Sequence, residues 1–255
     1  MLTLPTAILL FFAALLAGAL NAVAGGGSFI AFPALLFTGV PAVPANATNT
    51  VALWTGLVCS GGAFRSRLRV RRTVLFTLFT VSLIGGVAGA LLLLETPANT
   101  FLRILPWLML SATLIFIFGP KLTERRKREI GTGQNTAALI AAALVQLAIA
   151  IYGGYFGGGM GFVILAMLTA FGMADIHEMN ALKTVLSSAT NGLAVLVFIV
   201  RHAVYWPQAL VMIAGAALGG YFGARFSLQI PPVLIRRFVI AVGGTLSVYF
   251  FVRAY

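Results

Sequence analysis

Apolar runs about as long as a bilayer is thick constrain this chain more than any other feature. They fall at residues 4–23, 47–64, 73–94 and 101–118, and again at 136–155, 180–200, 205–228 and 233–251. A hydrocarbon core is crossed by about 20 helical residues. Inside it the backbone satisfies its own polar groups only as a helix or a closed barrel. The strict alternation of a membrane barrel strand is absent. The expected fold class is therefore all-α, a polytopic membrane protein. Composition agrees, with 60% hydrophobic and 9% charged residues and a mean hydropathy of +1.03.

Two further apolar segments, 28–38 and 161–171, are too short to span, at roughly 16 Å each. Each follows a glycine triplet: Gly25-Gly26-Gly27 before Ser28, and Gly157-Gly158-Gly159 before Met160 and Gly161. A glycine inside a helix costs about 1 kcal/mol relative to alanine, so each triplet reads as a break. Non-helical backbone at membrane depth is tolerated only where it is buried in protein or lines a cavity. If Ser28 and Gly161 begin new helices, each break is a helix N-terminus with unpaired N–H groups and partial positive charge. Such an end suits an anion. The competing reading is a packing kink.

The second half of the chain echoes the first. Gly85-Gly86-x-x-Gly89 recurs as Gly219-Gly220-x-x-Gly223, Pro97 as Pro231, Arg103 as Arg237, and Asn46-Ala47-x-x-Thr50 as Asn180-Ala181-x-x-Thr184. Each pair is 134 residues apart, and the glycine triplets match within two residues of that offset. The expected organisation is a first membrane repeat over 1–120, a basic linker over 121–135 and a second repeat over 136–255. That makes about eight transmembrane helices from two repeats, each with a Gly-rich break and a short re-entrant half-helix. Paired interrupted segments point to the binding site in secondary transporters.

The formal net charge is +12. Its basic residues cluster in short loops, as the positive-inside rule requires, and not in a nucleic-acid surface. Arg65, Arg67, Arg69, Arg71 and Arg72 lie between the third and fourth segments, and Lys121 with Arg125, Arg126, Lys127 and Arg128 after the fifth. Placing both loops in the cytoplasm, two crossings apart, makes the short segments re-entrant and both termini cytoplasmic. The two halves are then parallel, and Glu95, Asp175, His177 and Glu178 fall on the far side. If the short segments continue across, the halves are inverted. The N-terminus lacks a basic leader and reads as a retained first helix. The single cysteine, Cys59, precludes an intrachain disulfide and reads as a buried, inert thiol.

The helix after each break carries a polar stripe: Asn46, Asn49 and Thr50 in one half, Asn180, Lys183 and Thr184 in the other. Residues three and four apart share a helix face. Asn46 and Asn180 are also candidate N-caps. Lys183 is an ionisable residue inside a membrane segment, which is costly and usually functional, although snorkelling is an alternative. Asn21 and Ser28 beside the first break, and Tyr152 with Tyr155 beside the second, add polar groups. The Gly85 and Gly219 motifs read as helix-packing faces, Arg225 as a vestibule or snorkelling residue, and the arginine loop as a topology determinant and lipid-headgroup contact.

The run Asn21-Ala22-Val23-Ala24-Gly25-Gly26-Gly27-Ser28, together with Ala45-Asn46-Ala47-Thr48-Asn49-Thr50, resembles the TauE/SafE family, also called the 4-toluene sulfonate uptake permeases. The run from Tyr152 to Gly161 is similar to that family's second-half signature. The resemblance covers nearly the whole chain. It implies transport of sulfite, sulfonates or related small anions across a bacterial-type inner membrane. Met160 in place of serine, and Lys183 in place of Asn49, depart from strict symmetry.

The five carboxylates (Glu95, Glu124, Glu129, Asp175 and Glu178) map to loops or segment ends, so no acidic residue offers a conventional proton relay at mid-membrane. No P-loop pattern, metal-ligand cluster or serine–base pair is present, and no cofactor or catalytic role is expected. The reading is a multi-pass inner-membrane secondary carrier, an exporter of small oxyanions such as sulfite or organosulfonates, working by alternating access around a midplane site. The candidate binding residues are Asn21, Gly25, Gly26, Gly27, Ser28, Asn46, Asn49, Thr50, Tyr152, Gly157, Gly158, Gly159, Gly161, Asn180, Lys183 and Thr184. Any coupling proton would travel on the anion as its conjugate acid. The alternatives are an anion channel using the same site, and a membrane scaffold or accessory protein that moves nothing.

Overall fold

The computed structural model describes residues 2–23, 25–64, 68, 70–123, 136–173, 175–226 and 232–255. Among the described residues there are ten α-helices and no strands: α1 Leu4–Val23, α2 Ser28–Phe37, α3 Ala42–Phe64, α4 Arg72–Glu95, α5 Ala98–Thr123, α6 Thr136–Tyr155, α7 Met160–Ala170, α8 Ile176–Val200, α9 Trp206–Phe226 and α10 Pro232–Ala254. By length and composition α1, α4, α5, α6 and α8 suffice to cross a membrane. With 10 and 11 residues, α2 and α7 do not. The basic run at 125–128, Lys121's side chain and most of the arginine loop lie outside what is described.

Several boundaries move outward from the hydrophobic segments. Helix α3 begins at Ala42 and α8 at Ile176, so Asn46 and Asn180 are not N-caps. In α8 that role belongs to Asp175, whose carboxylate accepts from the N–H of His177 and Glu178. The first turn of α3 tolerates Pro44, which has no N–H to satisfy, and Asp175 caps α8, so both helices start ahead of the apolar runs. Cys59 is exposed, not buried. Its neighbour Val58 is exposed too, so this face of α3 points away from the helix bundle.

Small residues set the packing. A methyl group at Gly219 would lie 2.0 Å from the Leu15 carbonyl oxygen, and one at Gly223 2.6 Å from Ala19 Cα. Gly85 faces Leu147 and Ala150, and Gly89 faces Ile151 and Tyr155. The backbones of α1 and α9, and of α4 and α6, therefore touch directly, as small-residue faces allow. Gly219→Ala should lower the melting temperature in detergent. Gly244→Ala, whose added methyl meets nothing within 4 Å, should raise stability by up to about 1 kcal/mol through helix propensity.

The same contacts give the helix directions. Leu15 pairs with Gly219 and Ala19 with Gly223, so α1 and α9 run parallel. Thr48 meets Tyr205 and Gly56 meets Ala216, so α3 also runs with α9. Gly85 pairs with Ala150 and Gly89 with Tyr155, so α4 runs with α6. Short connections turn α4 back from α3 and α9 back from α8. Helix α6 thus opposes α1, and α8 opposes α3.

Of the two arrangements left open by loop charge, these directions favour the inverted one over the parallel one. Each short helix carries the chain back to the side from which the preceding long helix started. Glu95 and the Asp175–Glu178 stretch accordingly lie at opposite ends of the bundle, and the chain begins and ends opposite Arg71 and Arg72. The packing has a matching regularity: α1 lies on α9 as α6 lies on α4, α3 on α9 as α8 on α4, and α2 on α10 as α7 on α5.

A candidate anion site between two broken helices

The two breaks meet. Gly25 has φ +96°, and a methyl there would sit 2.6 Å from Gly161 Cα. That backbone conformation and that closeness both require glycine. Helices α2 and α7 open at this junction from Gly27 and Gly159, neither with a side-chain cap. Gly159 is left-handed at φ +77°. Both N-termini therefore direct the positive ends of their dipoles into one region.

That region is a small cavity bordered by Asn21, Gly25, Ser28 and Thr50 from the first half. Gly157, Gly161 and Lys183 border it from the second. Seven of the sixteen residues singled out in the sequence thus come together. Five lining residues were not foreseen: Leu53, Leu57, Met160, Ser187 and Asn191. The four-residue spacing of Lys183, Ser187 and Asn191 was the available signal. The free volume, about 20 Å³, admits a water molecule but not an oxyanion, so the cavity is narrow in this conformation.

The remaining candidates stand behind the lining. Asn49 donates from Nδ2 to Ser28 Oγ at 3.1 Å, and Asn21 Oδ1 accepts from the Gly27 N–H at 2.8 Å. These two contacts hold the first break in shape. Gly26 packs under the Phe162 ring. Asn46 donates to the Tyr155 carbonyl at 2.8 Å, tying α3 to the interrupted end of α6. In the second break the Tyr152 hydroxyl donates to the Gly158 carbonyl, and a methyl at Gly158 would strike the Phe156 ring. Thr184 spends its hydroxyl on the Asn180 carbonyl at 2.8 Å, and Asn180 lies outside the cavity. Arg225 is exposed and reaches Tyr221, not the cavity.

Lys183 decides the electrostatics. It is 1% exposed, and its Nζ has no hydrogen-bond partner among the described residues. It is also the only charged side chain of the lining. A buried charge is costly unless paired. Here a lone lysine lines the same cavity as the two breaks, and no carboxylate lines it among the described residues.

Comparison with known proteins agrees with the membrane architecture. Residues 10–250 match the family described as Sulfite exporter TauE/SafE. A "Probable membrane transporter protein" of Haemophilus influenzae is 32% identical over 91% of this chain and 89% of its own length. The "Probable membrane transporter protein YfcA" of Escherichia coli K12 is 32% identical over 93% of this chain and 87% of its own. The "Probable membrane transporter protein ORF9" of Sinorhizobium sp is 31% identical over 94% and 90%. No solved structure matches.

Proposed function

Because the chain belongs to the sulfite exporter TauE/SafE family of membrane transporters, we propose that it exports small oxyanions such as sulfite or organosulfonates by alternating access at the junction of its two glycine breaks. The observation that carries this reading is the buried Lys183 ammonium, without a partner among the described residues, in the cavity that both breaks line. The donors around it, Asn21, Ser28, Thr50 and the backbone near Gly25 and Gly161, match the acceptor oxygens of an oxyanion.

The helix directions support an inverted pair of repeats, 1–120 and 136–255, with eight long helices and two half-helices. The basic loops lie in the cytoplasm and both termini lie outside. Inverted repeats give alternating access a simple route, because each half in turn adopts the conformation of the other. The membrane is the bacterial inner membrane, and a coupling proton rides on the anion.

Purified protein in proteoliposomes should show saturable flux of radiolabelled sulfite or a short sulfonate, changed by an imposed pH gradient. Absence of saturable flux for every such anion would sink the carrier reading, and unitary currents would replace it with a channel.

A further inference from the structure

Two groups of helices meet at the cavity, and they cut across the repeats. Helices α1, α3 and α9 touch backbone to backbone, through Gly56 against Ala216 and Gly219 against Leu15. Helices α4, α6 and α8 do likewise, through Gly86 against Thr190 and Gly154. Asn21, Thr50 and Leu57 border the cavity from the first group, and Lys183, Ser187 and Asn191 from the second. Parting the groups along this seam is therefore the motion that widens it. Side-chain hydrogen bonds cross the seam from α3 at two levels. Trp54 Nε1 donates to the Ser188 carbonyl at 3.1 Å, between positions 134 residues apart, so the axis relating the halves passes between them. Asn46 Nδ2 donates to the Tyr155 carbonyl at 2.8 Å.

The equivalent of Asn46 is Asn180. The equivalent of Tyr155, counted from the aligned glycine triplets, is Val23, and each is the last residue of its helix, α6 and α1. Asn46 lies about two turns from Trp54, away from the Arg71 end. Asn180 lies about two turns from Ser188, towards that end, because α8 opposes α3. Here the halves differ. Asn46 is fully buried with its amide bonded. Asn180 is half-buried, and its side chain makes no hydrogen bond among the described residues. The Val23 carbonyl, at a helix C-terminus, has no intrahelical donor. We propose that Asn46 and Asn180 are alternating latches. Asn46 on the Tyr155 carbonyl shuts the seam on the outer side, and in the opposite stage Asn180 on the Val23 carbonyl shuts it on the cytoplasmic side. The structure holds the first latch made and the second unmade, so it is the stage that leans open towards the cytoplasm. Rocking about the Trp54–Ser188 crossing breaks one bond as it forms the other, which keeps the two stages close in free energy. Neither asparagine lines the cavity; both are positioning residues. This inference rests on the transport reading above and specifies how its site is opened to each side.

The test uses the purified full-length chain with Cys59→Ser and one reporter cysteine. Leu57→Cys reports from the cytoplasmic side of the Trp54 crossing, and its equivalent Asn191→Cys from the outer side. The rate of labelling by a water-soluble maleimide is read at each. Asn46→Ala should lower the Leu57→Cys to Asn191→Cys rate ratio about fivefold, the worth of one hydrogen bond. Asn180→Ala should move the ratio the other way, and the double variant should return it towards the original value. Asn180→Ala removes a bond absent from this structure, so its melting temperature should stay unchanged. That variant alone decides the matter if Asn46→Ala does not fold. In proteoliposomes each single variant should slow sulfite flux more than it weakens sulfite binding. Ratios that stay put, or that move together in both variants, with flux intact overturn the latches and leave the transport reading standing. Opposed shifts in a protein without saturable flux of any such anion overturn the transport reading and leave a switching seam.

Discussion

Lys183→Met should abolish anion transport while leaving the protein at least as stable as before. Lys183 is almost fully buried in α8, its Nζ has no partner among the described residues, and the carboxylates at Glu95, Asp175 and Glu178 sit at helix ends. Methionine nearly matches the lysine stem in volume and removes an uncompensated charge. Replacing buried charge by well-packed apolar groups is neutral or stabilising, by ~1–4 kcal/mol. The melting temperature of the detergent-purified variant should therefore hold or rise. Losing the one ammonium that faces the anion should cost about 3 kcal/mol of binding, on the order of 100-fold in affinity. Flux and ligand-induced thermal stabilisation should vanish together. A variant that melts normally and still transports would show that the lysine is structural.

Gly25→Ala is the second large effect, and Gly39→Ala is its internal control. Both glycines have positive φ, +96° and +83°. An alanine there costs ~1–2 kcal/mol from the backbone conformation alone. At Gly39 nothing lies within 4 Å of the added methyl, so strain is the whole cost. At Gly25 the methyl would press on Gly161 Cα at 2.6 Å, backbone against backbone, with no side chain able to swing away. Overpacking adds roughly 1–3 kcal/mol, and relief comes only by separating the two breaks. Gly39→Ala should transport at near wild-type rate with a slightly lower melting temperature. Gly25→Ala should lose transport and melt several degrees lower still. Equal behaviour of the two variants would mean that contact between the breaks is dispensable.

The glycine breaks were legible because nothing else interrupts apolar runs of this length, and both short helices begin within a residue of where the triplets end. The polar stripe was legible only in part. Asn46 and Asn49 share a face with Thr50, yet their amides are spent on the Tyr155 carbonyl and Ser28 Oγ. A stripe tells which residues point inward, not what each one meets. Ser187 and Asn191 escaped notice because a serine and an asparagine in an apolar helix give no signal of their own. They matter only because Lys183 lies one and two turns away on the same side. Loop charge put both basic loops on one side but left the direction of the halves to the short segments, and at 10 and 11 residues α2 and α7 do not declare whether they carry the chain back. Contacts such as Leu15 with Gly219 and Ala19 with Gly223 supplied the missing sign.

The sequence by itself determined an all-helical membrane chain, the places where its helices break, and the echo between its halves. Those are properties of length, hydropathy and glycine content, which act locally or through simple repetition. Tertiary structure decided that α1 packs on α9 and α6 on α4, that Gly25 rests against Gly161, and that Lys183 has no counter-charge among the described residues. These are meetings between segments far apart in the chain, from Gly85 with Ala150 to Leu15 with Gly219. No local pattern encodes them, because the close approach that glycine permits and the isolation that leaves an ammonium unpaired exist only once the helices are assembled.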